Sequence, residues 1–197
     1  MMKFIRPLVL LALAALAACG GDSTAPTQIQ KPTSDLHFIR LSTGAPPLEA
    51  TTISFYAVKG QDREVRLQLR DGSDFLRFRV FANSLDKRPD GTAIAPGDSI
   101  LITITVPDPT TFAADFQPAG LKFSAPARLQ FEFADCDKDL NGDGVVTAAD
   151  TALIPQISTW RQETLAAPWV KIASTVEIEI NEVQADISGF SGYALAY

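Results

Sequence analysis

The sequence predicts a mainly β protein: an antiparallel β-sandwich with a short acidic loop and helix inserted between two strands. Three observations predict this fold class. Many short segments alternate apolar and polar side chains, as half-buried strands do. Turns rich in Pro, Gly and Asp separate these segments. One stretch near residue 140 combines closely spaced Asp and Asn residues with glycines. The chain has no repeat of about 20–50 residues, which argues against a solenoid or a propeller.

Residues 1–18 have the composition of a bacterial export signal. Lys3 and Arg6 precede an apolar run over residues 8–18. This run is shorter than the roughly 20 residues that a membrane-spanning helix needs. We therefore predict that the segment directs export and is removed.

The signal ends in Leu16-Ala17-Ala18-Cys19. This stretch resembles the lipobox of bacterial lipoproteins, which implies a lipid on Cys19 and attachment to the membrane. Gly20 follows where an aspartate would favour the inner membrane, so the resemblance implies the outer membrane or cell surface of a Gram-negative cell. Residues 19–34 are rich in Gly, Ser, Thr, Pro and Gln, which predicts a flexible tether.

Charge and cysteine content restrict the function classes. The chain has a net charge of −6, and loss of the signal removes only positive charge. An acidic chain without a basic run argues against a nucleic-acid partner, because such binding depends on neutralising phosphates. If Cys19 carries lipid, Cys136 is the one remaining thiol and no internal disulfide forms. Cys136 is expected to be a small buried hydrophobe, with a nucleophile as the alternative.

The predicted domain spans residues 35–197. Its expected strands are residues 36–41, 52–58, 64–70, 76–80, 99–106, 121–123, 128–133, 176–180, 185–187 and 193–197. The clearest hairpin joins residues 64–70 to residues 76–80 through the turn Asp71-Gly72. Arginines occupy its outer face, which is either solvated or a site for an acidic ligand.

Two stretches resemble ZU5-type β-sandwich domains. Residues 116–129, FQPAGLKFSAPARL, match the pattern P-x-G-L-x-F-x-x-P-x-x-L, and the strand at residues 98–106 fits upstream of it. Phe190-Ser191-Gly192-Tyr193-Ala194 is similar to an ending seen in bacterial relatives. The resemblance implies an interaction module and not an enzyme. In such a fold the acidic loop would be an insertion, placed at about residues 137–160.

The stretch Asp139-Leu140-Asn141-Gly142-Asp143-Gly144-Val145-Val146-Thr147-Ala148-Ala149-Asp150 contains the most specific chemistry. It resembles the twelve-residue calcium loop of EF-hands, especially its dockerin form. Gly144 stands at the sixth position, which requires a sharp turn. Val146, at the eighth, is expected to pin the loop to the core. The predicted Ca²⁺ ligands are Asp139, Asn141, Asp143, the carbonyl of Val145, Thr147 and Asp150.

A helix is predicted to follow the loop. Thr147-Ala148-Ala149-Asp150 fits a capping box, so the helix begins at Ala148. Leu153, Ile154, Ile157 and Trp160 continue with helical spacing, although Pro155 kinks or ends the first segment. A strand precedes the loop in place of the entering helix of an EF-hand. We therefore interpret the loop as a structural calcium clamp, the alternative being an Asx-rich turn without an ion.

Three function classes are compatible with these features. The first is a non-enzymatic, lipid-anchored module of the cell envelope that binds or scaffolds a protein or glycan partner. The second is a dockerin-like docking module, although dockerins carry two such loops. The third is a secreted hydrolase with a pair of carboxylates. The chain has one histidine, His37, and neither a Gly-x-Ser-x-Gly nor a His-Glu-x-x-His motif. Trp160 and Trp169 are expected to pack in the core or to cover the calcium lobe, with a sugar-stacking platform as the alternative.

Overall fold

The computed structural model describes residues 28–197. The predicted export signal, Cys19 and most of the tether lie outside the described residues. The prediction of a mainly β antiparallel sandwich is confirmed. The strands are β1 (Gln30–Lys31), β2 (Thr52–Val58), β3 (Arg63–Gln68), β4 (Asp74–Val80), β5 (Leu85–Lys87), β6 (Ser99–Thr105), β7 (Ala113–Gln117), β8 (Lys122–Glu132), β9 (Ser158–Gln162), β10 (Trp169–Lys171), β11 (Ser174–Glu177), β12 (Glu182–Gly189) and β13 (Gly192–Ala196).

Two antiparallel sheets form the sandwich. The first has seven strands in the order β1-β10-β9-β13-β7-β6-β2. The second has the order β11-β12-β8-β4-β3, and β5 pairs with β8 beside this path. One short helix, α1 (Ala148–Thr151), follows the acidic loop, and 3-10 turns occur at Thr33–Asp35, Ile154–Gln156 and Ile178–Ile180.

Aromatic side chains fill the space between the sheets. Phe78 of the second sheet packs edge-on against Phe116 of the first, with ring centres 5.0 Å apart. Phe75 stacks on Phe112 at 4.8 Å. All four are at most 1% exposed. Inward residues of facing strands thus meet in one core, as the period-two alternation requires.

A smaller cluster lies on the other face of the first sheet. Trp160 and Trp169 pack there with Leu36, Ala194 and Ala196. The core interpretation of both tryptophans agrees with their exposure of 2% and 8%. The segment before residue 40 covers them, and its strand β1 pairs with β10. Residues 30–34 therefore include regular structure where the sequence predicts tether, because the backbone of residues 30–31 completes a sheet edge.

Several predicted elements differ from those observed. Residues 36–41 form only isolated β-bridges, because this segment pairs in turn with Ala196, Thr111 and Cys136 and with none of them over several residues. Residues 122–132 form one strand and not two. Pro126 is tolerated there because the register with β12 shifts opposite it, between Ile187 and Gly189. Residues 178–180 form a 3-10 turn, and Trp160 lies on β9 and not on a helix. Pro155 ends helical structure, and pairing with β13 draws the next residues into the sheet.

Candidate metal centre

The acidic loop begins where β8 leaves the second sheet, and the amino-terminal segment holds its start. The Asp137 amide donates to the Arg40 carbonyl at 2.8 Å, and the Ser42 amide donates to the Asp135 carbonyl at 2.9 Å. The hydroxyl of Tyr197 donates to the carbonyl of Leu140. Residues 40–42 therefore hold the segment just before the loop, and Tyr197 contacts the loop itself.

Asp139, at the first loop position, organises the turn. Its Oδ1 accepts N–H groups from Gly142 at 2.9 Å and Asp143 at 3.1 Å. Its Oδ2 accepts the Gly144 amide at 2.7 Å. Gly144 has φ = +86°, a conformation that side chains with a Cβ rarely adopt. The glycine at the sixth position thus has the backbone role that the sequence pattern predicts.

Asp150, at the twelfth position, closes the loop and is only 1% exposed. Its Oδ1 accepts the Asn141 amide at 3.0 Å, and its Oδ2 accepts the Thr147 amide at 2.7 Å. These two N–H groups lower the pKa of the Asp150 carboxyl, so it remains ionised at neutral pH. The Thr147 hydroxyl accepts the Ala149 amide at 3.1 Å, which completes the predicted capping box at the start of α1.

Asn141 and Asp143 lie between these residues and are exposed. Asn141 Nδ2 donates to Asp143 Oδ2 at 3.0 Å, and the Asp143 amide donates to Asn141 Oδ1 at 2.9 Å. In this arrangement no group of three or more His, Cys, Asp or Glu residues within 28–197 is positioned to hold a metal ion. Three of the six predicted ligands belong to those residue types, and the other three are an amide, a hydroxyl and a carbonyl.

The donor chemistry nevertheless fits a hard cation. Ca²⁺ takes carboxylate, amide and carbonyl oxygens, all of which this loop supplies. A carboxylate has about four lone-pair directions, so the three hydrogen bonds that Asp139 accepts do not exhaust its capacity. Asp139, Asp143 and Asp150 form no ion pair with any Lys or Arg in the described part of the chain. Lys138 points elsewhere and donates to the Ala134 carbonyl at 2.8 Å.

Val146 departs from its predicted role. Its side chain is 63% exposed, so the prediction that it pins the loop to the core is wrong. Leu140 and Ile154 contact the core instead. Val145, whose carbonyl is a predicted ligand, is also exposed, at 61%.

A groove of about 380 Å³ runs beside the loop. Arg40 and Asp137 line it with loop residues Asp139 and Asn141. At its base the ring of His37 stacks on Tyr197, with centroids 5.1 Å apart. The role of Tyr197 is not predictable from local sequence, because its loop contact joins residues 57 positions apart and no local pattern indicates such a contact.

The arginine face of the β3–β4 hairpin is an ion-pair network. Arg66 contacts Glu64 at 2.9 Å and Asp74 at 3.0 Å. Arg77 pairs with Glu182 of β12. These partners lie on β3, β4 and β12 of the same sheet, so the charges neutralise one another within the sheet. The solvated-face interpretation therefore accounts for the arginines without an acidic ligand.

The remaining candidates for catalysis do not converge. Cys136 is 4% exposed, and burial raises the pKa of its thiol, which suppresses the nucleophilic thiolate. Burial raises the pKa of both the Asp115 and the Glu132 carboxyls. Asp115 lies on the outer face of β7 in the first sheet and Glu132 on the outer face of β8 in the second, so the core separates the two.

Compared with known proteins, the chain matches no family model, no curated protein and no solved structure. The ZU5 and EF-hand resemblances accordingly stay predictions. Among residues 28–197, no helix has the length and apolar character to cross a bilayer.

Proposed function

We propose that residues 139–150 bind Ca²⁺ and thereby stabilise a non-enzymatic, lipid-anchored β-sandwich that binds or scaffolds a partner in the cell envelope. The observation that carries the calcium proposal is the charge of the loop. Three carboxylates lie within one twelve-residue segment without an ion pair to any described Lys or Arg, and backbone N–H groups hold all three in place.

A bound cation offsets the repulsion among these carboxylates. Ligand that binds only the folded state stabilises it by mass action, by about 2.7 kcal/mol at a hundred times the Kd. Asp139, Asp143 and Asp150 would supply carboxylate oxygens, and Asn141, Val145 and Thr147 would supply amide, carbonyl and hydroxyl oxygens. Because the loop follows β8 and accepts a hydrogen bond from Tyr197, a cation that stabilises the loop also stabilises its attachment to the sandwich.

Calorimetric titration with Ca²⁺, together with thermal melts in Ca²⁺ and in chelator, tests this proposal. We expect heat on titration and a melting temperature several degrees higher in Ca²⁺, at about 2–4 °C per kcal/mol for a chain of this size. Asp139→Asn should abolish both effects. Asp108→Asn is the matched control, since Asp108 caps a turn outside the loop by accepting the Thr110 amide at 2.9 Å. A wild-type protein that shows neither heat nor a shift would contradict calcium binding.

The non-enzymatic part of the proposal is supported by the dispersal of reactive groups. His37 is exposed and stacks on Tyr197, Cys136 is buried, and Asp115 and Glu132 lie on different sheets. The carboxylates beside Glu132, those of Asp74 and Glu182, form ion pairs with Arg77, so they are neutralised on the sheet surface and are not free for acid–base catalysis.

The membrane part of the proposal depends on Cys19, outside the described residues. Cys19→Ser should move the protein from the membrane fraction to the soluble fraction of the cell envelope, with Ser23→Ala as the control. Retention of the Cys19→Ser variant in the membrane fraction would exclude a lipid at this residue as the anchor.

A further inference from the structure

Among residues 28–197, the two main sheet paths end in four strands, which differ in how open they are; β5, beside the second path, has three residues and ends in Lys87. The first sheet ends in β1 and β2, and the second ends in β3 and β11. An edge strand presents unpaired N–H and C=O groups to any strand that approaches. Proteins commonly block such edges by shortening them, by charging them or by interrupting them with a bulge.

Three of the edges are blocked in these ways. β1 has two residues and ends in Lys31. β11 has four residues and ends in Glu177, after which the chain turns into a 3-10 segment. β3 carries three charged side chains in six residues, and its register shifts after Leu67.

The fourth edge, β2, has none of these features. Its seven residues, TISFYAV, include no charged residue and no proline. Its pairing with β6 runs through seven consecutive positions without a shift. The Lys59 amide donates to the Asp98 carbonyl at 2.9 Å, and the Val106 amide donates to the Thr51 carbonyl at 2.8 Å. In an antiparallel ladder, residues whose backbone groups bond the partner strand alternate with residues whose backbone groups point away from it. The two bonds place Thr51 and Lys59 among the residues that bond β6. The backbone N–H and C=O groups of Thr52, Ser54 and Tyr56 are therefore directed to the open edge.

The outer face beside this edge is also uncharged. Tyr56 is 64% exposed and pairs across the strand with Leu101, which is 48% exposed. Ser54 hydrogen-bonds to Thr103 at 2.8 Å, and Thr52 contacts the hydroxyl of Thr105 at 3.4 Å. The outer face therefore carries one apolar pair and two pairs of hydroxyl groups, and each pair includes a residue of the edge strand β2.

We propose that β2 is a self-association edge through which two copies of this chain pair their β2 strands antiparallel. When a two-fold axis passes through Phe55, the central residue of β2, the two copies of the strand pair antiparallel and all seven residues overlap. In this register the strand is complementary to itself. In that register Ser54 lies opposite Tyr56 of the second copy, and both residues direct their backbone groups to the edge, so the hydrogen-bonding positions coincide. No charge meets a like charge. The two Tyr56 rings become diagonal neighbours, at roughly 7–8 Å between Cα atoms, within reach of aromatic side chains.

Sedimentation velocity of the full chain in mild detergent, over a micromolar to millimolar range, tests this proposal. The wild-type protein should show a reversible monomer–dimer equilibrium. Ser54→Pro should weaken dimerisation at least about tenfold, because it removes an edge-directed N–H and leaves the bonds to β6 intact. Ser54→Lys should weaken it similarly by placing a charge in the interface.

Thr103→Lys is the matched control. Thr103 faces Ser54 on the same outer surface but lies on β6, which has neighbours on both sides. This variant should dimerise as the wild type does, and melting curves of all variants should confirm that they fold. A wild type that stays monomeric throughout the range overturns the proposal. So does a Ser54→Pro or Ser54→Lys protein that dimerises normally, or an equal loss in Thr103→Lys, which would assign the interface to the sheet face and not to its edge.

Discussion

The hydroxyl of Tyr197, on the last residue of the chain, donates a hydrogen bond to the main-chain carbonyl of Leu140, the second residue of the acidic loop. Tyr197 is itself held by His37, whose ring stacks on it and whose backbone exchanges hydrogen bonds with it. The loop is thus attached to the sandwich through Tyr197, and His37 supports that residue. The conformation of the loop therefore depends on residues that are distant from it in sequence.

We expect Tyr197→Phe to loosen the loop. The change leaves the Leu140 carbonyl without its partner and costs about 1 kcal/mol in the free energy of unfolding. Hydrogen exchange of amides within residues 139–150 should accelerate, because the loop loses an attachment to the sheet. Tyr193→Phe is the control, since the Tyr193 hydroxyl donates to the Gly189 carbonyl at 2.6 Å, away from the loop. Equal acceleration of loop exchange in both variants would argue against a specific attachment.

Gly189→Ala is expected to destabilise the sandwich. A Cβ at Gly189 would lie 2.9 Å from the backbone oxygen of Leu121, so either the segment just before β8 or β12 itself must shift. Such overpacking costs about 1–3 kcal/mol. Gly44→Ala should be nearly neutral, because its added Cβ meets nothing closer than the Ser42 hydroxyl at 4.0 Å. Denaturant unfolding of both variants measures the difference, and equal stabilities would contradict the close contact.

Glu132→Gln should stabilise the protein at neutral pH. Burial raises the pKa of Glu132, and the nearby Asp74 and Glu182 carboxylates raise it further against the effect of Arg77. The folded protein therefore holds this proton more tightly than the unfolded chain does. The resulting stability is fully present below the unfolded value of about 4.3 and is lost as pH rises through the raised folded-state pKa.

Thermal melts across a pH series test this expectation. The Glu132→Gln variant should melt above the wild type at neutral pH, and the difference should disappear in acid. Glu179→Gln, at an exposed position on a 3-10 turn, serves as the control. A Glu132→Gln variant whose melting temperature rises further above that of the wild type as pH falls would show that folding lowers the pKa of Glu132 and does not raise it.

Phe38→Ala should expose the outer tryptophan cluster to water. The Phe38 ring packs edge-on against Trp169 at 5.3 Å, and Trp169 is 8% exposed. Without this ring, tryptophan emission should shift to longer wavelength. Phe123→Ala is the control, because Phe123 is also half-buried but packs against Phe190, away from both tryptophans. A red shift of the same size in the two variants would indicate general loosening and not local exposure.

Local patterns were sufficient for part of the fold. Strand β2 coincides with its predicted range, and the hairpin around Asp71-Gly72 forms between β3 and β4 as expected. The alternation of side chains determines these elements, because one face of each strand meets the core. The capping box at Thr147 and Asp150 is similarly local, since both groups of the box lie within four residues.

The sequence by itself determined a β-sandwich with a loop of calcium-binding composition, because side-chain period and ligand spacing are properties of neighbouring residues. Only the tertiary structure decided that residues 30–38 cover Trp160 and Trp169, that Tyr197 supports the loop and that β2 is left as an open edge. Each of these features depends on which distant strands pair. A single strand's pattern is compatible with several partners, and packing of the whole chain selects among them.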